Sequence, residues 1–78
     1  MNRPPLKPRE IKVVLALVDS GGLNSYAIAF HCMMPHRSTR RMVEKLLIEG
    51  IIERQGSSSR SRYIVTPYGK YVLVESMK

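Results

Sequence analysis

Apolar residues recur at two different periods along this chain, and the change falls at Gly50. Before it, Ile11, Val14, Leu15 and Val18 follow the i, i+3, i+4, i+7 rule and predict an amphipathic helix over 8 to 20. Pro8 suits the first turn, where its missing N–H is no loss, and Gly21-Gly22 supplies a left-handed stop. Asn24 is a good N-cap for a short second helix over 25 to 32, with Tyr26, Ala29 and Cys32 on its inner face. Met33-Met34-Pro35 is long enough only for a turn. A third helix begins at Pro35, turns Thr39, Met42, Val43 and Leu46 inward, and runs to about Glu49 before Gly50 closes it.

After Gly50 the helical period disappears. "IIERQ" and "SRYIV" are short, contain β-branched residues and flank "GSSSR", which predicts a β-hairpin with a glycine-serine tip. Thr66 then caps, and Pro67 opens, a last helix of about ten residues carrying Tyr71, Val72 and Val74. Residues 1 to 7 contain Pro4 and Pro5 and no periodicity, so they read as a flexible basic arm ahead of a single domain over 8 to 78. The fold class expected is α+β, mainly α: three helices, a two-stranded ribbon and a C-terminal helix.

Composition narrows the function. At 78 residues and 44% hydrophobic, the chain can bury only one small core, which makes a homodimer an expectation. No apolar run approaches a bilayer span, and "MNRPPLKPRE" has no signal-peptide core, so a soluble cytoplasmic protein, at the nucleoid if bacterial, is expected. The lone Cys32 excludes an internal disulfide. Thirteen Lys and Arg against six Asp and Glu give a net charge of +7, which points to a polyanionic partner. That charge is concentrated: between Arg54 and Val74 there is no acidic residue, while Arg54, Arg60, Arg62 and Lys70 are basic. A membrane surface fits poorly, because the apolar helix faces are needed to bury one another.

The third helix carries the sharpest signal. On a wheel of about 100° per residue, Arg37, Arg40, Arg41 and Glu44 point away from the apolar side, with Ser38 and Lys45 flanking them. Three arginines crowd its N-terminal half, where the helix dipole also favours phosphate. A solvated surface would mix charges more evenly than "HRSTRR" does. Two short helices joined by a tight turn, the second one basic, form the helix-turn-helix arrangement, and the "GSSSRSR" tip adds hydroxyls and guanidinium groups suited to phosphate oxygens. His31, Cys32 and His36 match no strong zinc spacing, and Cys32 reads as a core thiol. His36 reads equally as a phosphate or base contact and as a plain helix-start histidine. No nucleophile-base pair, paired carboxylates or phosphate loop suggests an enzyme; no catalytic residue, metal, cofactor or small-molecule ligand is expected.

"LNSYAIAFHCMMPHRSTRRMVEKLLIEGIIER", followed by the hairpin and "YIVTPYGKYVL", resembles the winged helix-turn-helix domain of the MarR and PadR families of bacterial regulators. The likeness covers about residues 10 to 74, and is closest at Glu49 to Arg54 and Val65 to Lys70. It implies a sequence-specific, double-stranded DNA-binding regulator whose recognition helix, about 36 to 49, enters the major groove while a wing over 55 to 62 lies on the backbone. His36, Arg37, Ser38, Arg40 and Arg41 fall on the groove-facing positions and Ser58, Arg60 and Arg62 on the wing; Lys45 flanks them. Two departures stand out: Pro35 replaces a capping Ser or Thr, and the family's long flanking helices have no counterpart within these 78 residues. The rival reading is a winged helix used as a protein–protein module in a DNA- or RNA-associated complex, for which Leu47 and Ile48 offer some apolar surface.

Overall fold

The computed structural model describes residues 3 to 58 and 60 to 78. Its elements run α1 (Pro8–Ser20), α2 (Ser25–Cys32), α3 (His36–Ile48), β1 (Ile52–Gln55), β2 (Arg62–Val65) and α4 (Pro67–Ser76), the order and type expected from the periodicity. This is a winged-helix fold, mainly helical. Among the described residues no helix is long and apolar enough to cross a membrane.

Local chemistry sets the boundaries. The Glu10 carboxylate accepts the Lys7 backbone N–H at 2.8 Å at the start of α1, and Gly21 ends that helix in the left-handed conformation at φ 77°. Asn24 caps α2 by accepting the Ala27 N–H at 2.8 Å. Pro35 offers α3 no side-chain cap; instead the buried Thr39 hydroxyl donates back to the Pro35 carbonyl at 3.0 Å. Thr66 caps α4 by accepting the Gly69 N–H at 2.9 Å, and its own hydroxyl donates to the Gly50 carbonyl at 2.6 Å.

The core lies where the three leading helices meet the base of the ribbon, around Val13, Leu17, Ile28, Leu46, Ile51 and Val72. Two inner faces, those of α1 and α2, differ from those the spacing predicts. On α1 the buried stripe is Glu10, Val13, Val14 and Leu17, one position out of phase, and Val18 is exposed. On α2 Ile28 takes the inner position, leaving Tyr26 63% exposed. On α4 Val72 and Leu73 face inward while Tyr71 and Val74 are exposed.

The described part of the N-terminal arm also departs from expectation. Leu6 is buried in the core, its N–H donates to Ser76 Oγ at 2.9 Å, and Arg3 pairs with Glu49 at 3.4 Å. The arm is thus fastened at Leu6 because the core offers that side chain an apolar seat; residues 1 and 2 lie outside the described residues.

β1 and β2 pair antiparallel from Ile52 with Val65 to Gln55 with Arg62. The loop after α1 adds a third partner: Leu23 and Tyr63 exchange backbone hydrogen bonds of 3.2 and 2.8 Å. The ribbon is therefore tied to the helices on both sides of its base.

Candidate nucleic-acid interface

Burial of Thr39, Val43 and Leu46 fixes the rotation of α3. The opposite side is then exposed, and it carries Arg37, Arg40, Arg41 and Glu44, as the wheel predicts. His36 is half-buried at the first turn, stacked on Tyr26 with ring centroids 4.1 Å apart and planes 7° from parallel. Its Nε2 lies 3.2 Å from Ser25 Oγ, so both members of the helix-turn-helix meet through this ring. The turn between them ends α2 on Met33, a non-glycine residue in the left-handed region at φ 53°, and leaves that residue exposed.

Strand alternation decides which wing cations share the surface of α3. Residues 52, 54, 63 and 65 lie on one face of the ribbon and 53, 55, 62 and 64 on the other. Because Ile52 is buried, the first of these is the core-ward face, and Arg54 extends it toward α3. A cleft of about 250 Å³ results, shared by His36, Arg40 and Glu44 from α3, Arg54 and Ser58 from the wing, and Ser25 with Tyr26 from α2. Arg54 Nη2 also donates to the Ser58 carbonyl at 3.3 Å, and the Arg60 N–H donates to Ser58 Oγ at 3.2 Å, which shapes the tip. Arg60 is exposed.

Arg62 is placed differently from the rest of the expected set. It sits on the outer ribbon face, where its Nη2 donates to the Gly21 carbonyl at 3.3 Å. Lys45 is likewise engaged: its ammonium lies 2.8 Å from the Glu10 carboxylate, which is 5% exposed. Burial raises the Glu10 pKa, but the Lys45 hydrogen bond, the Lys7 N–H and the charges of Lys45 and Arg3 outweigh it and hold the carboxyl below its ordinary value. The same Glu10 hydrogen bond and charge push Lys45 above its ordinary value. Beside this pair, Ser38, Arg41 and Lys45 face Lys7 and Arg9 across a second, more open cleft of about 540 Å³. The basic surface of α3 therefore continues on its α1 side.

Arg54, Ser25, Tyr26, Lys7 and Arg9 are absent from the residue set expected from sequence, yet they line these clefts. Pairing the ribbon so that Ile52 faces inward would have brought Arg54 forward. Lys7 belongs to the arm read as basic, but nothing in sequence places it or Arg9 beside Ser38, Arg41 and Lys45, since that depends on how the start of α1 lies against α3. Among the described residues no three His, Cys, Asp or Glu side chains converge on a metal-sized site. Cys32 is buried, and burial pushes its thiol pKa up against a smaller opposing effect from Lys12.

No protein-family model matches the sequence, and no curated protein matches it significantly. Solved structures do match in fold. A MarR family transcriptional regulator from Silicibacter pomeroyi is 25% identical, over 87% of this chain and 48% of its own, with a TM-score of 0.78. A probable transcriptional regulator from Pseudomonas aeruginosa is 20% identical over 92% of this chain and 56% of its own, at 0.82. Bordetella bronchiseptica BpsR, whose DNA binding is regulated by 6-hydroxynicotinic acid, is 17% identical over 92% and 54%, at 0.83. The chain spans about half the length of these structures and has their winged-helix fold.

Proposed function

We propose that this chain binds double-stranded DNA sequence-specifically and serves as a small transcriptional regulator. In this reading α3 lies in the major groove, the wing rests on the sugar-phosphate backbone, and no chemistry is performed on the DNA. The observation that carries it is the joining of two cationic elements: Arg37, Arg40 and Arg41 occupy the exposed face of α3, and Arg40 shares a cleft with Arg54 and Ser58 of the wing. A helix fills a groove about 12 Å wide, and guanidinium groups on it can bond guanine in two places at once. His36 and Ser38 flank those arginines, while Arg60 reaches the backbone from the tip. Lys45, paired with Glu10, extends the surface on the α1 side, and Arg62, bonded to the Gly21 carbonyl, lies on the other ribbon face. The shared fold with regulators from Silicibacter and Pseudomonas, and with the DNA-binding BpsR, favours the same reading.

A gel-shift titration tests it. Arg40→Ala is expected to weaken binding to a selected duplex by about 1–3 kcal/mol and to relax its sequence preference. Arg60→Ala should weaken all duplexes alike. Affinity unaffected by either change would favour the second reading, a protein-docking module. That reading draws on Phe30, Met33 and Ile48, which are 82%, 88% and 87% exposed.

A further inference from the structure

Glu44 is the only acidic residue within α3, and it stands in the middle of the cationic face rather than at its margin. It shares one cleft with Arg40, Arg54 and Ser58, a second with Arg37, Arg40 and Arg41, and a third with Arg41, Lys45 and Ile48. Its side chain is exposed, and among the described residues it has no salt bridge or side-chain hydrogen bond. A carboxylate there opposes phosphate, so a surface made only to grip backbone would be better without it. It becomes favourable where the bound duplex offers it a hydrogen-bond donor. On the floor of the major groove the donor suited to a carboxylate is the N4 amino group of cytosine.

The spacing to Arg40 sharpens this. Four residues place the two side chains about one helical turn apart, some 5.4 Å along the axis. Base pairs rise by about 3.4 Å, so the two side chains span one to two base-pair steps. Resting on the DNA-binding reading above, we infer that Glu44 is a specificity-determining residue. It accepts from cytosine N4 one or two steps from a guanine bonded by Arg40, and it repels the helix from duplexes that lack that donor. The preferred site therefore contains a guanine and a cytosine at fixed separation.

The test uses the full chain and its Glu44→Gln and Glu44→Ala variants. Each is taken through selection from random duplex DNA, followed by titration of the enriched and a scrambled duplex at one salt concentration. Wild type should enrich a motif with a fixed cytosine. Glu44→Ala should lose preference at that position alone, and its enriched-to-scrambled affinity ratio should fall about tenfold or more. Glu44→Gln should exchange the cytosine for adenine, because a carboxamide pairs with adenine N6 and N7. A mere change of charge would not produce that exchange. If both variants keep the wild-type motif while binding every duplex more tightly by the same factor, Glu44 contributes only bulk repulsion and the inference is overturned. A wild-type chain that retains no duplex at all overturns the DNA-binding reading itself, and this inference with it.

Discussion

A Cβ on Gly69 would overlap the Ile51 carbonyl oxygen, because Thr66 draws the first turn of α4 onto the junction of α3 and β1. That contact gives "TPYGK" a structural meaning: a cap, a helix-starting proline and a residue without a side chain where two backbones touch. In an open helix Gly→Ala stabilises by about 0.5–1 kcal/mol. Here Gly69→Ala is expected to destabilise by about 3 kcal/mol, read as a lower urea midpoint at unchanged slope. Glu10 makes a second residue-scale prediction. Its folded pKa lies below the ordinary 4.5, so its contribution is complete above that pH and is lost as the pH falls through the folded value. Lys45, raised above 10.5, contributes fully below that pH and loses its contribution in stronger alkali. Glu10→Gln should therefore lower stability by about 2 kcal/mol at neutral pH and flatten the acid limb of a pH–stability curve. An acid limb identical to that of the wild type would assign acid sensitivity to other carboxylates.

Among the elements, the ribbon separates two arginines that look alike in sequence. Arg54 shares the face of buried Ile52 and reaches the cleft beside α3, whereas Arg62 is turned outward onto Gly21. Arg54→Ala should therefore weaken duplex binding clearly more than Arg62→Ala in the same titration; the reverse order would place the duplex on the outer ribbon face. Element types and limits were legible in the sequence because caps, prolines and glycines mark them, as at Asn24, Thr66-Pro67 and Gly21. The exposed arginines of α3 were legible too, since a helix with one apolar side has only one way to turn. The phase of α1 was not. "IKVVLALV" is apolar on nearly every side, so its spacing admits more than one inner stripe. What selects the observed stripe includes the pairing of Glu10 with Lys45, 35 residues away. The bridge from Leu23 to Tyr63 joins residues still further apart in sequence, and a single bridged residue leaves no alternating pattern to read.

On the scale of the molecule, the cationic surface should make binding strongly dependent on salt. If about five phosphates are neutralised, the logarithm of the association constant should fall with a slope of about −4 to −5 against the logarithm of salt concentration. Tyr71 and Val74 on α4, and Met77 just after it, leave apolar area exposed, which suits a symmetric pair of chains on a two-fold site. Sedimentation is expected to find two chains per duplex; a single chain at high micromolar concentration, with and without duplex, would exclude that arrangement. The hydrogen bond from Leu6 to Ser76 has a further consequence. A segment near each end of the fold is held against the other, so a short peptide could close the chain into a ring without disturbing its packing. Reopening that ring at the glycine-serine tip would give a circular permutant with an intact helical body and a severed wing, in which groove reading and backbone grip could be measured apart.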